Sequence, residues 1–211
     1  MTLSSNTKFN AGNLLFTLLS TDDEPAVADA AISTLPTGAV VSGNLIIQRY
    51  MSIEGGSNDP SFNNGRIYRN ISSPVTDPPV SDLQVEIPVT GSFTGTSACS
   101  GCGSTQSMFL YRESEIGDTN GSGGNDFDDG YEDFPNAANS ETLAPGRGYS
   151  VFVRGNIAPV SGAGNARFDL RGPINSGTIN YITTAGVTYT STGTPANDGW
   201  NLVRQSISIY H

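Results

Sequence analysis

The apolar runs of this chain are short, and most stop at a glycine or a proline. That punctuation constrains the fold more than any other feature. A helix needs an apolar stripe sustained over about ten residues or more, whereas a strand needs only about four to eight. Leu14–Ser20 ends at Asp22-Asp23-Glu24-Pro25, and Ile67–Ser72 stops at Pro74. Val40–Met51 carries Val41, Leu45, Ile47 and Arg49 at odd positions. Leu83–Val89 alternates over Leu83, Val85, Ile87 and Val89, and Pro88 marks it as an edge strand because proline cannot donate to the ladder. Ser107–Glu113, Gly148–Arg154, Ala166–Arg171, Thr178–Thr183, Val187–Ser191, Trp200–Val203 and Ser206–Tyr210 continue the series. About ten short strands at such spacing predict a sandwich or barrel. The expected fold is one all-β domain over residues 1–211. It is an antiparallel two-sheet sandwich of jelly-roll or Greek-key type with long loops.

Composition agrees with this reading and narrows the partners. Gly 25 and Pro 12 favour turns, and 211 residues suffice for a core without staples. The net charge is −10, Lys8 is the only lysine, and the arginines are scattered. Nucleic acid and anionic membrane surfaces are therefore not expected as partners, since both require clustered cations. No apolar run approaches the roughly 20 residues that cross a bilayer, so no membrane insertion is expected. Met1–Asn10 lacks the basic start and apolar centre of a signal peptide. Two readings stand at this point, a cytosolic protein and an excised piece of a secreted protein with an added Met1, and the lysine-poor, Thr/Ser/Asn/Gly-rich composition favours the second.

Cys99 and Cys102 form C-S-G-C. A zinc site needs about four ligands, and besides these cysteines the chain has one histidine, His211. A redox C-x-x-C motif needs a helix start in an α/β pattern, which is not visible. The expectation is a small disulfide pinning a loop tip, and closing so short a loop adds modest stability.

Four phrases occur in order: Gly43–Met51 (GNLIIQRYM), Arg66–Val75 (RIYRNISSPV), Leu143–Gly155 (LAPGRGYSVFVRG) and Gly199–Val203 (GWNLV). In this order the set resembles a β module of Bacteroidetes surface proteins exported by the type IX secretion system, many of them adhesin-like or gliding-related. The resemblance runs from about Lys8 to Val203. It implies a secreted or cell-surface location and a module within a larger multidomain chain. It implies no defined activity. Such proteins usually continue from the last phrase into G-N-P-Y-P-S, whereas Arg204-Gln205-Ser206-Ile207 follows here, so 204–211 reads as an atypical tail.

Residues 114–146 read as an acidic, glycine-rich insertion loop. Between Glu113 and Asp133 lie eight acidic residues and no basic one. Asp118, Asn120, Asp126, Asp128 and Asp129 offer hard oxygen ligands on a glycine-rich segment, and Ca²⁺ takes about six to eight such oxygens. The EF-hand spacing is not met. Two readings stand: a Ca²⁺ site that orders the loop, and a solvated acidic loop.

Catalysis finds little support. The sole histidine is the last residue, so a Ser-His-Asp or Cys-His arrangement has no base. Nothing pairs the carboxylates at the roughly 5–9.5 Å of a glycosidase. The chain is read as a non-catalytic module for adhesion or ligand binding. A carbohydrate-binding module of a polysaccharide-degrading enzyme is one alternative, with a polysaccharide or surface glycan as partner. A structural subunit assembling through strand edges is another. Tyr131, Phe127 and Trp200 are the candidate ligand contacts, with Tyr68 and Tyr111 beside them; a lone tryptophan next to a strand is more often core. The arginines of the phrases are expected to pair across strands with carboxylates such as Glu86 and Glu113.

Overall fold

A computed structural model of the chain describes residues 4–12, 16–19, 35–51, 67–97, 104–114, 130–154, 166–176, 187–191, 199 and 201–203. Nine strands and one short helix form among them: β1 (Lys8–Asn10), β2 (Phe16–Leu18), β3 (Val40–Ser42), β4 (Asn44–Met51), β5 (Ile67–Ile71), α1 (Val80–Gln84), β6 (Met108–Tyr111), β7 (Tyr131–Asp133), β8 (Tyr149–Val153) and β9 (Ala166–Pro173). The chain is all-β in character, as its punctuation predicts. Thr178–Thr183 and Ser206–Tyr210 lie outside the described residues.

The strands form a pair β1-β3, a three-stranded sheet β2-β4-β9 and a four-stranded sheet β5-β8-β6-β7. The four-stranded sheet is antiparallel throughout, and β4 pairs antiparallel with β9 over eight positions. The expectation of an antiparallel fold needs correction elsewhere, because β1·β3 and β2·β4 are parallel. A hairpin joins antiparallel strands only; parallel strands need a longer connection, and residues 19–39 separate β2 from β3. The expected single strand Val40–Met51 is two, split at Gly43. Gly43 has φ +82°, and a Cβ there would stand 2.9 Å from the Gly12 nitrogen. Backbone handedness and close approach both require glycine at this kink.

Alternation produces the inner faces. Along β9 the buried positions are Ala166, Phe168, Leu170 and Gly172, every second residue. In β4, Leu45, Ile46 and Ile47 are all buried, as befits a central strand between β2 and β9. Leu45, Ile47, Ala166, Phe168 and Leu170 share one buried cluster with Ile71, Met108, Leu110, Tyr149, Val151 and Val153 of the four-stranded sheet. Fully burying an aliphatic side chain contributes about 1.5–3 kcal/mol, so this shared cluster is the main force holding the sheets together.

A polar clip reinforces it. Asn175 donates from Nδ2 to the carbonyls of Ser73 and Val75 at 3.0 and 3.1 Å, and its Oδ1 accepts from the Thr76 hydroxyl at 2.9 Å. Val75 forms a bridge with Ile174, and Ser73 is fully buried. The S-S-P-V end of the second phrase thus ties the exit of β5 to the exit of β9.

Two further expectations are overturned. Leu83–Val89 is not a strand: α1 occupies its start, and the Ile87 N–H donates to the Leu83 carbonyl at 2.9 Å. The alternation misled because Val85 is 69% exposed, while Val80, Leu83 and Ile87 are buried at helical spacing. Val187–Ser191 makes no strand either. The segment 114–146 is not loop throughout: its later half carries β7 and buries Phe134 and Leu143. No helix among the described residues is long and apolar enough to cross a membrane.

Candidate ligand-binding face

The two faces of the four-stranded sheet differ sharply. Met108, Leu110, Tyr149, Val151 and Val153 point into the core. The opposite positions place Tyr68 across from Phe152, Asn70 across from Ser150, Phe109 between Ser150 and Asp133, and Tyr111 across from Tyr131. Paired residues share a face, so the aromatic side chains make a diagonal band over all four strands. One row holds Tyr68 and Phe152, the next Phe109, and the third Tyr111 and Tyr131.

The rings touch within two groups along this band, Tyr68 with Phe152 and Phe109, and Tyr111 with Tyr131. Tyr68 lies 4.9 Å from Phe152 and 6.2 Å from Phe109 between ring centroids, and Tyr111 lies 5.1 Å from Tyr131. Tyr68 is 52% exposed and Tyr131 41%, one at each end of the band. Phe109, Tyr111 and Phe152 are half-buried between them. The Arg154 guanidinium stands 4.9 Å above the Phe152 ring, a cation–π contact that also borders the band. Asn70 and Asp133 are exposed beside the rings, and Ser150 lies between them.

The β7 end of the band is held by its stem. The Arg112 N–H donates to the Gly130 carbonyl at 2.8 Å, and the Arg112 side chain forms an ion pair with Glu132. Next in the chain, Glu113 is 3% exposed. Its Oε1 accepts from the backbone N–H groups of Thr190 at 2.6 Å and Gly199 at 3.0 Å. Its Oε2 accepts from the hydroxyls of Thr188 and Thr190, both at 3.0 Å. Burial pushes the Glu113 carboxyl up, but the hydrogen bonds from Thr190, Gly199 and Thr188 outweigh it and hold the group below its ordinary value. The expected arginine partner for Glu113 is thus corrected: backbone amides and threonine hydroxyls fill its acceptors.

This carboxylate anchors the last phrase. Asn201 donates to the carbonyls of Thr188 and Gly199 and accepts from the Thr188 N–H at 3.1 Å. The Gly148 N–H donates to the Leu202 carbonyl at 2.9 Å, and Arg147 bridges to Val203. The fourth phrase therefore docks on the third. Within the third, the buried Tyr149 hydroxyl accepts from the Ala144 N–H at 2.9 Å.

Of the expected ligand contacts, Tyr131 belongs to the exposed band, joined by Tyr68 and Tyr111. Phe127 and Trp200 lie outside the described residues, as do Asp118, Asn120, Asp126, Asp128 and Asp129, and Cys99 and Cys102. Sequence reasoning missed Phe109 and Phe152. Each alternates with buried neighbours in an apolar run, and that alternation was the available sign of an outward face. No protein-family model, curated protein or solved structure matches the chain.

Proposed function

We propose that this chain is a non-catalytic binding module of a secreted, cell-surface protein and works in adhesion by holding a ligand on the aromatic face of its four-stranded sheet. The observation that carries this reading is the band ending in Tyr68 and Tyr131, 52% and 41% exposed. Exposed clustered aromatics are characteristic of binding surfaces, since they offer large contact area at small entropic cost. The secreted setting follows from the ordered phrases and their resemblance to type IX secretion modules. The shared core of the two larger sheets supports a two-sheet sandwich, in a jelly-roll or Greek-key arrangement.

The test uses whole cell-wall material from algae and plants. Wild-type chain should sediment with it, and Tyr68→Ala and Tyr131→Ala should each bind at least about tenfold more weakly, about 1.4 kcal/mol. Binding that survives both substitutions unchanged would remove the face from consideration. A second reading, assembly through strand edges, draws on β5 and β7 as the outer strands of their sheet. Light scattering separates the two, because a strictly monomeric species at high concentration excludes assembly.

Ca²⁺ bound by Asp118, Asn120, Asp126, Asp128 and Asp129 is part of this proposal. The segment carrying them joins Glu113 to Gly130, so ordering it would steady the Tyr111–Tyr131 end of the band. Calorimetric titration of EGTA-treated protein should give binding heat and a raised melting temperature. Neither change at millimolar Ca²⁺ would discard the metal.

A further inference from the structure

The band has a definite size, shape and charge. Crossing four strands takes three steps of about 4.8 Å, and its three rows span about five residues at roughly 3.4 Å each. The described face is therefore roughly 240 Å², against about 800 Å² per partner in a stable protein–protein interface. Over the described residues, a slender chain lying along the diagonal is matched to a face of this size. The rings are inclined to one another: 42° for Tyr68 and Phe152, 50° for Tyr68 and Phe109, 81° for Tyr111 and Tyr131. They offer no common plane for a flat crystalline surface, but they suit a chain whose successive units rotate.

Charge decides the rest. Among the described residues, the Arg154 guanidinium and the Asp133 carboxylate border the band, one charge of each sign. The whole molecule carries −10, and that field repels a polyanion. We propose that the face takes a single, neutral polysaccharide chain, gripped along its interior rather than by its end. This rests on the reading of the face as the ligand site. A sugar ring presents C–H groups with partial positive charge, which match the negative face of an aromatic ring. Its hydroxyls reach outward to Asp133 and the O–H groups of Tyr68 and Tyr131.

Affinity electrophoresis of the full chain tests this, with laminarin and hydroxyethylcellulose as neutral chains, alginate and carrageenan as anionic ones, and sedimentation with microcrystalline cellulose alongside. Retardation by a neutral polymer is expected, nearly unchanged between low and high salt because no ion pair is screened. Affinity should rise with oligosaccharide length. Tyr68→Ala and Tyr131→Ala should each weaken it about tenfold, and Tyr68→Phe should keep most of it, since the ring remains. Unchanged circular dichroism confirms that the variants fold; both substituted side chains are exposed. Retardation confined to alginate or carrageenan and abolished by salt overturns the neutral class. Retention on microcrystalline cellulose alone overturns the single chain. Failure on every purified polysaccharide, by a chain that still binds wall material through the same tyrosines, overturns this inference and leaves the binding face standing. Failure on both overturns both.

Discussion

Glu113 keeps its charge although it is buried, because each carboxylate oxygen accepts two hydrogen bonds. Glu113→Gln turns one acceptor into a donor facing donors. We expect a loss of about 2 kcal/mol, read by urea unfolding, because hydrogen bonds to charged groups contribute about 1.5–3 kcal/mol. The pH dependence has a definite sign. The folded carboxyl sits below its unfolded value, so its contribution is complete above the ordinary glutamate range, about pH 4.3, and is lost as pH falls through the lower folded value. Wild type should lose stability faster than Glu113→Gln over that acidic window; parallel curves would refute the carboxylate's role. Tyr149 behaves oppositely. Burial raises its phenol, so its contribution is complete below the ordinary tyrosine value, about 10, and is lost as pH rises from there through the raised folded value. Tyr149→Phe removes the acceptor for the Ala144 N–H and should cost about 1 kcal/mol at neutral pH. None of this was legible beforehand. The partners of Glu113 lie 75 to 86 residues away, and no local pattern joins them.

At the scale of elements, strong alternation was a sound guide where both faces of a strand have a destination. β9 alternates and is a strand, and β5, β6 and β8 appear where their apolar runs predict them. Leu83–Val89 alternates as cleanly but folds through α1, because Val80, Leu83 and Ile87 bury together and leave Val85 in water. The reverse error occurs at β7, whose acidic sequence reads as loop but pairs with β6. The docking of the last phrase on the third yields a prediction at this scale. A Cβ on Gly148 would meet the Leu202 Cγ at 2.7 Å and its carbonyl oxygen at 2.9 Å. Gly148→Ala should therefore destabilise the protein by about 1–3 kcal/mol through overpacking. The emission of Trp200, the only tryptophan and a member of the displaced phrase, should shift with it. A double cycle with Leu202→Ala should recover part of the loss, and full additivity would show that the two positions do not couple.

Over the whole molecule, the shared core and the Asn175 clip link the two larger sheets into one unit. Asn175→Ala deletes two donated bonds and one accepted bond, so a loss of about 2–3 kcal/mol is expected. The urea midpoint should fall with an unchanged slope, and tryptophan emission and far-UV dichroism should report the same transition. Separate transitions would show that the sheets unfold independently. The amino-acid sequence by itself determined an all-β chain with glycine and proline stops, and an acidic net charge of −10. These are local or additive properties: a strand is set by a few neighbouring residues, and net charge is a sum. The tertiary structure alone decided which strands run parallel, which carboxylate anchors the last phrase, and that five aromatic rings from four strands meet on one face. Those outcomes depend on register between segments far apart in the chain, and a one-residue slip would turn Tyr68 and Phe109 inward.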